Sequence, residues 1–298
     1  MTAPIKFIDI DRYGIDINKV YNEDCLIGMS KIQDKSIDMI LCDLPYGTTQ
    51  NKWDSIISLE DFIEIDINEK ITTLNQNDYF LYCYKNNINL KDAQAAWNKE
   101  KKLGLWSHYQ RIIKDNGAII LTASQPFTSH LIESNKKMFK YSLTWDKKNT
   151  TGFLNAKRMP LRRHEDICVF YKNLPTYNPI MEERGKPRQK GGKNRTNRGC
   201  YGDYSDTNTY NNLYYPTSII EISNADKKNI IHPTQKPLEL FKYLIQTYSC
   251  EGDIILDNCM GSGTTAIASI ETNRRYIGFE NDKNYFDALQ KRISTINQ

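Results

Sequence analysis

Asp253-Ile254-Ile255-Leu256-Asp257-Asn258-Cys259-Met260-Gly261-Ser262-Gly263-Thr264 begins as an apolar run of strand length and breaks into a turn with two glycines. The run lacks polar alternation, which suits a parallel strand buried on both faces. Thr264-Thr265-Ala266-Ile267-Ala268 then opens a helix, and Arg275-Tyr276-Ile277-Gly278-Phe279 supplies a second strand ending at Glu280. Strand, glycine turn, helix, strand and acid make the nucleoside-binding half of a doubly wound sheet. The glycines let backbone approach a ligand, and an acid about 20 residues further on holds ribose hydroxyls. Asp257 and Glu280 are 23 positions apart. A helix start that needs glycine only for packing is the competing reading.

The turn is GxG without a third glycine, and no lysine follows it, which weakens both a dinucleotide site and a P-loop. A ligand with one ribose and no phosphate fits better, and S-adenosyl-L-methionine is the obvious candidate. Upstream, Ser36-Ile37-Asp38-Met39-Ile40-Leu41-Cys42 reads as another buried strand, ending in Asp43-Leu44-Pro45-Tyr46-Gly47. Chemistry in open α/β sheets gathers at the carboxyl ends of strands. A carboxylate acceptor beside a flat ring suits a planar guest bearing an amino group. A plain turn, with Asp43 capping backbone and Tyr46 covering core, is the bland alternative.

Composition narrows the class. The chain has 298 residues, 39% hydrophobic and 26% charged, an ordinary globular make-up. No apolar run approaches the roughly 20 residues that cross a bilayer, and residues 1–10 lack the features of a signal peptide. Seven cysteines form no CxxC pair and the four histidines are dispersed. This points to reduced thiols in a cytoplasmic protein and gives no support to a metal site. The net charge of +4 is concentrated: residues 181–200 hold Arg184, Lys186, Arg188, Lys190, Lys193, Arg195 and Arg198 against Glu182 and Glu183. A local basic segment in a near-neutral body suggests a polyanion partner.

Along the chain, Lys19–Tyr21 reads as a short strand, and Asp24 as the cap of a helix through Met29. Thr48–Asp54 is a polar loop carrying Trp53. Residues 58–104 read as an insertion or lid with helical fragments at 59–68 and 90–102. A helix from Trp106 is expected to stop at Asn116-Gly117. A strand at 118–123, a helix after Pro126, and strands at 141–145 and 166–171 follow. Residues 173–230 lose periodicity, yet their tyrosines argue against full disorder. A helix resumes at Pro237.

Both halves together resemble the amino-methyltransferases of DNA, with catalytic peptide D/N/S-P-P-Y and cofactor peptide FxGxG. The motif order resembles the beta class of adenine N(6) and cytosine N(4) enzymes. The similarity runs through 22–29 (NEDCLIGM), 43–54 (DLPYGTTQNKWD), 116–127 (NGAIILTASQPF), 161–172 (LRRHEDICVFYK), 215–220 (YPTSII), 232–240 (HPTQKPLEL), 257–265 (DNCMGSGTT) and 278–282 (GFEND). Leu44, Cys259 and Asn258 depart from the pattern. The resemblance implies a Rossmann-like S-adenosylmethionine-dependent methyltransferase fold. Its sheet is mostly parallel and doubly wound, with the catalytic motif N-terminal to the cofactor motif. The expected division is 1–57 catalytic part, 58–104 insertion, 105–172 methyltransferase core, 173–230 target recognition and 231–298 cofactor part.

The resemblance also implies roles. Tyr46 stacks on a base flipped from duplex DNA, while Asp43 and the carbonyl of Leu44, ahead of Pro45, accept hydrogen bonds from its amine. Asp257, Cys259, Gly261, Gly263 and Thr264 surround the cofactor, with Glu280 on its ribose. Lys236 lies near its methionine end and Asp24 also lines the pocket. Aspartate at the first catalytic position leans to adenine, with cytosine N(4) the alternative. RNA or protein-amide substrates and a non-enzymatic DNA binder fit less well. Carbon-5 methylation would need a Pro-Cys nucleophile, which the sequence lacks. Family-level expectations are a homodimer and a cognate restriction endonuclease.

Overall fold

The computed structural model describes residues 14–47, 54–67, 70–190, 209–224, 231 and 235–296. Its centre is an eight-stranded sheet. The strands are β1 (Lys19–Tyr21), β2 (Ile37–Asp43), β5 (Ile113–Ala123), β6 (Phe139–Thr151), β7 (Arg162–Phe170), β10 (Ile219–Glu221), β11 (Ile254–Asp257) and β12 (Arg275–Phe279). They lie in the order β1-β12-β11-β2-β5-β7-β6-β10. Only β7 runs antiparallel to its neighbours. The expected mostly parallel, doubly wound sheet is what forms.

Side chains alternate across this sheet, and both faces are covered. Ile40, Cys42, Ile119 and Leu121 pack with helices α1 (Cys25–Ser30), α4 (Leu105–Ile112) and α5 (Phe127–Ser134). Met39, Leu41, Ile120 and Ile255 pack on the other side with α6 (Leu238–Tyr248) and α7 (Thr264–Glu271). The terminal α8 (Lys283–Ser294) closes a third cluster over Val20 and Tyr276. Two apolar faces explain why the strands read as continuous apolar runs.

Three local expectations need correction. Of the helix expected at 59–68, the described residues 59–67 hold none; β3 (Phe62–Ile67) pairs antiparallel with β4 (Lys70–Asn75). The alternation Ile63, Glu64, Ile65, Asp66 has strand period, and Ile63 and Ile65 turn toward a separate cluster. That cluster contains Tyr79 and Cys83 of α2 (Gln76–Lys85) and Ala93 and Trp97 of α3 (Leu90–Glu100). The helix from Leu105 ends at Ile112, not at Asn116-Gly117, because Ile113 is already extended and pairs with Ile37. Asn116 and Gly117 fall where the β2–β5 register shifts, and a Cβ at 117 would lie 2.7 Å from the Asp38 carbonyl oxygen. Finally, the aperiodic 173–230 stretch contains a hairpin of β8 (Glu182–Lys190) and β9 (Thr209–Tyr214).

Candidate active site

Asp43 is the last residue of β2, at the carboxyl edge of the sheet. One carboxylate oxygen accepts hydrogen bonds from the Tyr46 phenol at 2.8 Å and from the Thr122 hydroxyl. The other accepts from the Lys236 ammonium at 2.6 Å. Lys236 is 3.4 Å from Glu165 Oε2, and Lys147 donates to Glu165 Oε1 at 3.2 Å. Both lysines are buried. Two carboxylates and two ammoniums therefore share one pocket with no net charge. Burial pulls the Lys236 ammonium toward deprotonation, but Asp43 and Glu165 outweigh it and hold its pKa above the usual lysine value. Burial and the Asp43 charge raise the Tyr46 phenol well above its ordinary value, so it stays a donor. The Tyr46 ring stacks on Phe127, with centroids 5.5 Å apart and planes at 26°.

The second lobe is built where β11 lies beside β2. Asp257 ends β11 and turns inward: its Oδ1 accepts from the Cys259 amide at 2.9 Å and its Oδ2 from the Thr265 hydroxyl. Burial pushes its carboxyl up to about 6. The following turn needs left-handed backbone at Gly261 (φ 51°) and at Gly263 (φ 80°), where glycine carries no Cβ penalty. Glu280, just past β12, accepts from the Gly261 and Asp282 amides, each at 2.8 Å, and burial raises its carboxyl. Asp24 caps α1 by accepting from the Leu26 and Ile27 amides. The Thr264 hydroxyl sits 3.1 Å from Ser262 Oγ.

One cleft of about 1830 Å³ joins the lobes, lined by Asp43, Tyr46 and Lys236 on one side and Asp24, Asp257 and Glu280 on the other. Leu44, Pro45, Cys259, Gly261 and Thr264 also line it, whereas Gly263 acts from behind as the N-cap of α7. Lys236, expected at the cofactor's methionine end, has its ammonium on Asp43, at the seam between the lobes. Cys42 and Cys25 lie under the turn as protonated thiols: burial takes Cys42 up to about 12, and a hydrogen bond to Cys259 with burial holds Cys25 far above its ordinary value. Among the described residues, no three His, Cys, Asp or Glu side chains gather as metal ligands, and no helix is long and apolar enough to cross a membrane.

Sequence reading missed Thr122, Phe127, Lys147 and Glu165. Thr122 and Phe127 lie in the 116–127 segment and Glu165 in the 161–172 segment, so their places were marked but their partners were not. Lys147 gave no usable signal, since Lys148 beside it reads the same way in sequence and only Lys147 is buried. Of the basic run, Arg184, Lys186, Arg188 and Lys190 lie on exposed β8. Arg184, Arg188 and Lys190 gather around the Tyr214 ring at 5.6, 5.3 and 3.6 Å. Lys193, Arg195 and Arg198 lie outside the described residues, as do Thr48–Trp53 of the polar loop.

A parallel sheet with an acidic nucleoside lobe and an Asp-x-Pro-Tyr corner on one edge defines a Rossmann-like methyltransferase. The DNA methylase family (N6_N4_Mtase) matches residues 37–291, and the chain belongs to it. It is 25% identical to the type II methyltransferase M.HindIII of Haemophilus influenzae over 302 residues, covering 93% of this chain and 95% of that protein. To M2.MboI of Moraxella bovis it is 23% identical, covering 93% and 88%. Among solved structures, the M1.HpyAVI–SAM complex has a TM-score of 0.54 at 20% identity, covering 92% of this chain and 98% of that one. The cytosine-N4-specific PvuII DNA methyltransferase has a TM-score of 0.55 at 13% identity, covering 94% and 90%. These likenesses agree on the fold.

Proposed function

We propose that the protein methylates the exocyclic amino group of adenine in duplex DNA, at a defined sequence, after the base leaves the stack. The observation that carries this is the single cleft, with Asp43 and Tyr46 on one wall and Asp257 and Glu280 on the other. The methyl donor is S-adenosyl-L-methionine, which when bound supplies an electrophilic methyl group on a sulfonium. The donor set fits it: Asp24, Asp257 and Glu280 offer carboxylates to a cationic ligand with ribose hydroxyls, and the turn at 261–263 presents bare backbone.

The chain's own residues do the rest. Extruding a base costs a few kcal/mol, and the Tyr46 ring, braced by Phe127, returns part of it by stacking. Asp43 accepts an N–H of the amine, which orients the nitrogen lone pair. The Tyr46 phenol and Thr122 hydroxyl donate to one carboxylate oxygen and fix its plane, so the amine shares the other oxygen with the Lys236 ammonium. As the nitrogen gains positive charge, Asp43 meets it inside a largely dry pocket, where such pairing is worth far more than in water. Residues 173–230 serve as the recognition region. Phosphate contacts from β8 would position the duplex, and any contacts to guanine edges would specify sequence. Residues 58–104 form a unit with their own apolar cluster, and none of its described residues lines the cleft. The type II relatives support a setting with a cognate restriction endonuclease in the cytoplasm, and a homodimer is testable by sedimentation.

The test is transfer of labelled methyl from S-adenosyl-L-methionine to mixed-sequence duplex DNA, followed by nucleoside analysis. Label on N6 of adenine, lost in Asp43→Ala, is expected. Label on cytosine N4 would move the base assignment, and label on no DNA would refute the reading.

A further inference from the structure

Residues Gly152–Leu161, ten residues, connect β6 to β7. Because β6 runs in the same direction as β2 and β5, this connection leaves the sheet on the edge that carries Asp43 and Thr122. Its two bases, Thr151 and Arg162, line the cleft. The connection is not a slack loop. Phe153–Asn155 form a 3₁₀ turn, the Gly152 carbonyl accepts from the Asn155 amide at 2.9 Å, and the Asn155 carbonyl accepts from the amides of Arg158 at 2.8 Å and Met159 at 3.0 Å. On this folded knob three large apolar side chains face water: Phe153 (69% exposed), Leu154 (101%) and Met159 (55%). Lys157 and Arg158 lie in the same knob and Arg162 at its base, with no carboxylate partner for any of them among the described residues.

An apolar tip beside unpaired cations suits neither free solvent nor a protein core. It does suit a stack of bases between two phosphate backbones. Proteins that unstack DNA do so with Phe, Leu or Met wedges, and lysine and arginine hold the flanking phosphates. A base that leaves the helix opens a gap with two apolar faces. An inserted side chain covers those faces and keeps the base from returning.

We infer that the β6–β7 knob is a wedge that enters the DNA at the position vacated by the target base. Phe153 and Leu154 fill the stack, and Lys157 and Arg158 hold the neighbouring phosphates. The inference rests on the DNA-methylation reading above and adds a contact surface outside the cleft and outside the basic β8 hairpin. Because Leu154 and Phe153 are exposed, their replacement leaves folding intact.

The experiment compares wild type with Phe153→Ser/Leu154→Ser on two duplexes carrying the mapped target adenine. One has it paired with thymine; the other has it opposite an abasic site, where extrusion is nearly free. The variant is expected to lose about 10- to 100-fold in single-turnover rate on the paired duplex. It should recover to within about 3-fold of wild type on the abasic one, with cofactor affinity unchanged. Equal rates for both proteins on the paired duplex, or an equal defect on both duplexes, would overturn the wedge while leaving the methylation reading standing. Wild type inactive on both duplexes would overturn the methylation reading, and the wedge with it.

Discussion

Asp257 offers the sharpest test of how the cofactor lobe works. Its carboxyl is buried, accepts from the Cys259 amide, the Thr265 hydroxyl and the Cys42 thiol, and is still held at about 6 against an ordinary 3.8, because burial outweighs them. The sign follows from proton counting. Between pH 4 and 6 the native state binds a proton that the unfolded chain has released, so stability falls as pH rises through that window. Above pH 6 the penalty is constant. About two pKa units at roughly 1.4 kcal/mol each give ~3 kcal/mol. Asp257→Asn removes the charge and keeps the shape: the amide oxygen still accepts from Cys259, and the Thr265 hydroxyl can rotate to accept from the new NH2. Urea unfolding at fixed cofactor-free conditions should show the variant more stable by ~2–3 kcal/mol at pH 8 and equal to wild type at pH 4, with unchanged m-value. If the proposed cofactor site is right, the same variant should bind S-adenosyl-L-methionine about 10- to 100-fold more weakly at pH 8, where wild type keeps a buried carboxylate to face the cationic ligand. That deficit should shrink below pH 6. A variant no more stable than wild type at pH 8, or an offset that ignores pH, would refute the reasoning.

Tyr46→Phe keeps the ring on Phe127 but removes the donor to Asp43, so methyl transfer should drop about 10-fold, while Tyr46→Ala should lose on the order of 100-fold; single-turnover rates on duplex DNA separate the two. Glu165→Gln leaves two buried lysines with one carboxylate. Thermal or urea unfolding should show a loss of about 3–5 kcal/mol, and the methylation rate should fall because Lys236 then has Asp43 as its sole anionic partner. Gly28→Ala would put a Cβ 2.1 Å from the buried Phe279 ring, and unfolding should report a loss of about 1–3 kcal/mol from the α1–β12 contact.

What the sequence made legible was what period and turn chemistry encode. The β11 run, its glycine turn and Glu280 were readable because a strand buried on both faces has a distinctive apolar run and because left-handed backbone calls for glycine. The Asp24 cap was readable for the same local reason. The charge network was not. Lys236 and Asp43 are 193 residues apart, and nothing local in either peptide says that one ammonium reaches the other's carboxylate. Glu165 and Lys147 look like ordinary strand charges until β6 and β7 are laid side by side. The β3–β4 hairpin was misread because a short alternating run beside helical fragments suits two periods at once. Asn116-Gly117 carries a helix-stop signature, yet tertiary pairing of Ile113 with Ile37 had already ended the helix.

The strand order has one more consequence, for how the chain is made. Strand β2, which ends in Asp43, takes β5 on one side within about a hundred residues, but its other neighbour, β11, lies more than two hundred residues downstream, with Met39 paired to Ile255. β1 waits longer still, since Asn22 meets Glu280 across 258 positions. At typical synthesis rates of about 5–20 residues per second, the Asp43 peptide spends roughly 10–40 s on the ribosome with one edge of its strand open. Long-range parallel pairing of this kind is slow to nucleate. Methylation therefore begins only when the last strands have docked. A chain arrested before Ile254 carries its Asp43 peptide on an apolar, unpaired edge, ready to join other chains instead of its own.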